Sequence, residues 1–168
     1  MIFLLDANIL IDLGCVEGLD TLASLGIAEV LDMVLIDCEH PKQPSLVEDI
    51  RQIGVKEITV EQKGVKAAQK YRKGRLSLQD ALNLHHAKTF GHTLLTNEQP
   101  LRSVCIEEEV PFHGMLWIVE QVHNLQLRSV AQLCNWLQIL EQLNRWLPKT
   151  ELEELRQKLG CSDQKSLH

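Results

Sequence analysis

Residues 77–98, SLQDALNLHHAKTFGHTLLTNE, decide the fold. Ser77 and Asp80 stand three apart, the spacing of a helix-opening capping box, and Leu78, Ala81, Leu82 and His85 then share one face. Gly91 closes the helix after Phe90, and Thr93–Thr96 follows as a short strand that runs into Asn97 and Glu98. A helix feeding a strand through one glycine is the repeating piece of an α/β protein.

Working outward, the same alternation continues. Ile2–Leu5 is an unbroken apolar run ending in Asp6-Ala7-Asn8, as a strand buried on both faces would be. Residues 8–26 read as helical pieces interrupted by Gly14, Gly18 and Gly26. Met33–Asp37 and Glu57–Val60 are the next two strand candidates, Gln62–Arg72 a helix, Leu101–Glu107 a short helix and Val110–Phe112 a fifth strand. These elements predict an α/β domain with a mainly parallel sheet. From Met115 the pattern is helical throughout. Val130, Leu133, Leu137, Leu140, Asn144 and Leu147 form a stripe that Trp136, Leu143 and Trp146 widen. That stripe fits either a face packed on the sheet or a partner surface. Pro148 stops it, and Thr150 with Glu153 predicts a capping box for a last helix through Leu159. The expected organisation is one α/β domain over residues 1–120, with a helical extension, 121–168, packed on it.

The chain has 168 residues and a formal net charge of −6, with 45% hydrophobic and 24% charged residues. This is ordinary globular composition, which excludes a fibrous or disordered chain. Aromatic residues are 4%, too few for a base-stacking platform. The charge is uneven: residues 1–50 hold ten acids and one base, whereas residues 51–75 hold eight bases and two acids. Five scattered cysteines without a Cys-x-x-Cys pair predict free thiols in a reducing compartment. Asp6 interrupts the first apolar run and no stretch reaches the roughly 20 apolar residues of a membrane span, so a cytoplasmic protein is expected.

The acids carry the chemistry. Ligands of a parallel sheet bind where the strands end. Asp6 follows the first strand, Glu98 the Thr93–Thr96 strand, Glu39 the second strand, and Asp80 opens a helix that faces the same edge. Carboxylates gathered there repel unless a cation neutralises them, and all-oxygen ligands suit Mg²⁺ or Mn²⁺. Each acid also has a purely structural role open to it. Asp80 completes the Ser77 box, Glu98 is favoured by a helix dipole, and Asp6 can make an Asx turn. Asp37, Glu48 and Asp49 compete with Glu39. His85, on an apolar helix face, reads as a core residue, and His85, His86 and His92 do not match a His-Glu-x-x-His zinc spacing. No phosphate-binding glycine loop or nucleophile elbow is present.

FLLDANILIDL at 3–13, LSLQDALNLHHAKTFGHTLLTNEQPLR at 76–102 and VPFHGMLWIVEQ at 110–121 together resemble the PIN-domain proteins. More narrowly, they resemble the prokaryotic ribonucleases that are toxins of type II toxin–antitoxin pairs. The resemblance implies a three-layer, flavodoxin-like fold with sheet order 3-2-1-4-5, bound Mg²⁺ or Mn²⁺, and hydrolysis of RNA. It also implies a small antitoxin partner and a homodimer. On this sequence it points to Asp6, Asp80, Glu98 and, more loosely, Glu39 as the catalytic acids, the first three as metal ligands. Asn8 and Thr96 match the polar residues that orient them. Glu98 departs from the Asp usual at that place. Lys66, Lys70, Arg72, Lys73 and Arg75, upstream of Asp80, are candidates for holding the RNA backbone, or else a solvated face. The alternative function is a PIN-like module that binds protein or RNA without cutting. A phosphatase or a receiver domain fits less well, for want of an Asp-x-Asp nucleophile and of a clear lysine partner.

Overall fold

Strands buried on both faces need helices over each face, so the runs at Ile2–Leu5 and Thr93–Leu95 belong in the middle of a sheet. A computed structural model, which describes residues 1–72, 74, 76–143 and 147–162, has them there. Lys73, Arg75, Asn144 and Trp146 lie outside the described residues. The chain divides into two compact units, Met1–Met115 and Leu116–His168.

In the first unit the chain runs β1 (Ile2–Leu5), α1 (Ala7–Cys15), α2 (Leu22–Leu25), β2 (Ile27–Leu31), α3 (Asp32–Ile36), α4 (Leu46–Gln52) and β3 (Lys56–Ile58). It continues with α5 (Gln62–Ala68), α6 (Leu78–Phe90), β4 (Thr93–Leu95), α7 (Gln99–Glu107) and β5 (Phe112–His113). The sheet these five strands make is parallel throughout, in the order β3-β2-β1-β4-β5. Leu4 of the central strand pairs with Glu29 on one side and Leu94 on the other. Leu4, Leu5, Leu94 and Leu95 are fully buried, with Ile9, Leu10, Leu13, Ala81 and Leu84 supplied by helices. The order reverses between β1 and β4, and that switch point is where a parallel sheet opens a crevice.

Two expectations are corrected here. Met33–Ile36 is helical, within α3, and the second strand is Ile27–Leu31. An apolar run of four does not separate helix from strand, and the charged Glu29 inside the true strand hid its period. Asp32, the first residue of α3, ties that start to the segment after β3: its Oδ1 accepts from the Met33 amide at 2.8 Å and from the Val60 amide at 3.2 Å. Helix α4 lies in a stretch the sequence reading left without an element.

Helix α6 opens as expected. Ser77 Oγ accepts from the Asp80 amide at 3.1 Å, and the Ser77 amide donates to Asp80 Oδ2 at 3.4 Å. Its C-terminal stop is Gly91 at φ +70°, the left-handed conformation that only glycine adopts without cost. Gly114 is required for a different reason. A Cβ there would lie 1.9 Å from Arg102 Nη2 and 2.5 Å from Asn97 Oδ1, so its absence lets Asn97 accept from the Met115 amide.

The second unit holds most of α8 (Met115–Asn124), then α9 (Val130–Gln142) and α10 (Lys149–Leu159). On α9 Leu133, Leu137 and Leu140 are fully buried and Trp136 nearly so; α9 packs on α10, which buries Leu152, Leu155 and Leu159. The expected Thr150 box is absent: α10 starts at Lys149 after Pro148, which puts Thr150 inside the helix. A capping box forms instead at Ser129 and Gln132, opening α9. Cys134 and Cys161 form a disulfide across 27 residues, which corrects the expectation of five free thiols; Cys15, Cys38 and Cys105 are free. Such a pair is a matter of spatial approach, which spacing along the chain does not reveal. Among the described residues no helix is long and apolar enough to cross a membrane.

Ser77→Ala removes a cap whose side chain serves an otherwise orphaned amide. It is expected to lower unfolding free energy by about 1 kcal/mol in a denaturant titration, and Ser77→Gly by only a few tenths.

Candidate active site

At the switch point, the residue that follows β1 is Asp6 and the residue that follows β4 is Thr96. The two strand ends are joined directly. The Asp6 amide donates to Leu95 O at 3.0 Å, and Thr96 Oγ1 donates to Asp6 Oδ2 at 2.8 Å. Thr96 is fully buried and Asp6 is only 5% exposed. The Thr96 hydroxyl also accepts from the Glu98 amide at 3.0 Å, so one side chain holds both the acid of β1 and the turn that carries the next acid. Glu98 Oε1 accepts in turn from Asn8 Nδ2. Arg102 closes the turn from outside, its Nε donating to Thr96 O at 2.9 Å.

The electrostatics show which acids share the crevice. Burial pushes the Asp6 carboxyl up to about 7; the Thr96 hydrogen bond opposes this, and the charges of Asp80 and Glu98 add to it. Asp80 is also raised, by burial first and then by the charge of Asp37, against the pull of its two bonds to Ser77. Asp37 is itself raised by burial. The structural role of Asp80 as a box residue and its membership of an acidic crevice therefore hold together. Cys38, fully buried, feels both Asp37 and Asp6, and burial with those charges pushes its thiol up to about 12. Cys105 stands at about 12 for the same first reason, so neither supplies a thiolate at neutral pH.

Of the sequence candidates, the structure brings together Asp6, Asp80, Glu98, Asn8 and Thr96. The acid beyond the second strand whose charge reaches Asp80 is Asp37, at the C-terminal cap of α3. Glu39 is two residues further and, like Asp37, exposed; its amide donates to Ile36 O at 3.1 Å. The signal for Asp37 was present in the sequence but masked by the strand assignment: with α3 read as a strand, Asp37 became its last residue rather than the residue capping a helix. Of the basic residues, Lys66, Lys70 and Arg72 are exposed, and Lys70 lies over the Tyr71 ring at 4.9 Å. Arg51, Lys56 and Lys63, in the same basic block, are paired with Glu57, Glu29 and Glu61. Arg75 is outside the described residues.

The donor set of this crevice is oxygen only. Its three or four carboxylates, one of them raised to about 7 chiefly by burial, are groups that could hold a hard divalent cation. Set against protein-family models, curated proteins and solved structures, the chain matches none.

The raised Asp6 pKa has a definite consequence for stability. Its folded value, about 7, lies above its unfolded value near 3.8, so the native chain holds an extra proton between those limits. Without divalent cations, stability should fall as pH rises from about 4 to about 7 and stay reduced above. Asp6→Asn keeps the acceptor for Thr96 and removes the charge. It is expected to be more stable than wild type by on the order of 4 kcal/mol at pH 8, the difference vanishing below about pH 4. Denaturant titrations across that range in chelator check this. An Asn variant less stable than wild type at pH 8 would show that the buried charge is not the unfavourable element.

Proposed function

We propose that the chain is a Mg²⁺- or Mn²⁺-dependent endoribonuclease of PIN type, the toxin of a type II toxin–antitoxin pair. The observation that carries the catalytic part is the Asp6 carboxyl at the switch point of a 3-2-1-4-5 parallel sheet, raised first by burial and further by the charges of Asp80 and Glu98. The toxin part is supported by the resemblance of residues 3–13, 76–102 and 110–121.

Asp6, Asp80 and Glu98 would hold the ion, with Asp37 rather than Glu39 as the fourth acid. When bound, the ion supplies a Lewis acid that makes water nucleophilic at neutral pH and offsets charge on the scissile phosphate. The protein's own contribution is positional. Thr96 fixes the Asp6 carboxylate by its hydroxyl, and Asn8 orients Glu98. The longer Glu98 side chain replaces the usual Asp, and its hydrogen bond to Asn8 sets how far it extends. Water adds to phosphorus as the phosphodiester P–O bond breaks and the leaving oxygen takes a proton. Lys70 and Arg72, with Lys66 and Arg75, supply backbone phosphate contacts that carry no sequence information. The partner is a small antitoxin offering a basic side chain to the acidic crevice, and the enzyme acts as a homodimer in the cytoplasm. A reducing compartment would leave the Cys134–Cys161 bridge open, so this placement and that bridge are alternatives for the same molecule.

The second reading is a PIN-like module that binds without cutting. Glu98, at a place where the resembled family usually has Asp, favours it, as does the exposure of both Asp37 and Glu39, the candidates for the fourth acid. Calorimetric titration with Mn²⁺ separates the two, since only the enzyme requires uptake.

RNA cleavage with Mn²⁺ tests the proposal. Asp6→Asn and Asp80→Asn should each lose at least roughly a hundredfold in rate while remaining folded. Equal activity in wild type and both variants would remove this crevice from the reaction. Asp37→Asn should fall with them and Glu39→Gln should not; the reverse pattern would return the fourth position to Glu39.

A further inference from the structure

Glu29 points its carboxylate into the protein from the middle of β2, 6% exposed as a residue. A buried carboxylate needs compensation. Its Oε1 has Lys56 Nζ at 3.7 Å, an exposed amine. Its Oε2 faces two imidazole nitrogens, His92 Nδ1 at 3.4 Å and His86 Nε2 at 3.7 Å. Both nitrogens are buried and neither makes a hydrogen bond, and His92 is 8% exposed. The three candidate ligand atoms lie within 4.8 Å of one another. Phe90 lies against the His86 ring at 4.6 Å between centroids and screens it.

We propose that Glu29, His86 and His92 form a binding site for a divalent transition-metal ion of the zinc class, separate from the acidic crevice. Tetrahedral ligands about 2.0 Å from an ion are about 3.3 Å apart; the two imidazole nitrogens lie 3.4 and 3.7 Å from Glu29 Oε2, and all three atoms lie within 4.8 Å of one another. Two imidazoles and one carboxylate suit Zn²⁺, and also Co²⁺ or Fe²⁺, rather than Mg²⁺ or Ca²⁺, which take oxygen ligands. The fourth position is left for water or a small ligand, and Lys56 holds the carboxylate oxygen that does not ligate, as outer partners of metal ligands do. His86 also lines a cavity of about 500 Å³ between α5 and α6, with His85, Val60 and Leu82 among its walls. The site lies at the strand-start end of the sheet. His92 precedes β4 and Thr96 follows it, about 13 Å of extended chain apart, while Glu29 pairs with Leu4, two residues before Asp6.

Equilibrium dialysis of the full, chelator-stripped, disulfide-intact chain against Zn²⁺ in millimolar Mg²⁺ tests this, the Mg²⁺ competing for oxygen-only sites. Wild type and Asp6→Asn should each take up one equivalent at micromolar Zn²⁺. Glu29→Gln and His92→Gln should bind at least about a hundredfold more weakly. His86→Gln, at the more exposed ligand, should do the same and guards against a variant that fails to fold, with circular dichroism as the check. The Co²⁺ form should show visible d–d bands without a thiolate charge-transfer band. No uptake by wild type, uptake undiminished in the folded variants, or a thiolate band would each overturn the proposal.

Discussion

A carboxylate is buried at the exact point where the sheet reverses its order, and one hydroxyl holds it there. Asp6 follows the central strand without a spacer, so the strand that must be apolar to be central delivers an acid into the protein's interior. Thr96 answers from the neighbouring strand, and the Asp6 amide bonds to Leu95, the last residue of that strand. The same hydroxyl receives the Glu98 amide. The Thr96 hydroxyl thus ties the placement of Asp6 to the turn that carries Glu98, while the backbone ladder sets the register of β1 on β4. Moving Thr96 by one residue would send its hydroxyl to the opposite face of the sheet.

That arrangement sets stability against charge. Low dielectric and two neighbouring acids make the ionised form of Asp6 unfavourable, and burial is the largest cause. A packed sheet gains nothing from such a group. Local rules are broken in this way most often where a site is built, and here the broken rule is confined to one edge of the sheet. The Ser77–Asp80 box shows the opposite economy, in which one residue serves both helix start and crevice.

Legibility from sequence followed the range of the interaction. The passage from Ser77 to Glu98 could be read because its signals are local: a cap and its partner three residues on, a glycine stop, an apolar strand, an acid beyond it. The sheet order came from resemblance rather than from any residue pattern. Strand β2 was missed because Glu29 sits in it, and that residue is there for partners on α6 and before β4 that no local window contains. A strand over Met33–Asp37 would absorb Asp37 and leave Glu39 as the first acid beyond it, so the choice between the two turns on a helix that the apolar run does not announce. Likewise Cys134 and Cys161 meet only because α9 and α10 pack together.

Charge distribution now has a physical account for part of its unevenness. In the basic block, Arg51 and Lys63 pair with Glu57 and Glu61, which the +6 of residues 51–75 already counts, and Lys56 pairs with Glu29 from outside the block. Among the described residues Lys66, Lys70 and Arg72 are also exposed, along the chain that leads to α6 and Asp80. Along α6, Asp80 stands at the first turn and His86 about 9 Å further, on either side of a buried stretch that includes Leu82 and Leu84. The donors change with position, from oxygen only at one end of the sheet to imidazole and carboxylate at the other. Ligand chemistry therefore sets what each proposed site prefers: a hard ion at the crevice and a borderline one at Glu29, His86 and His92.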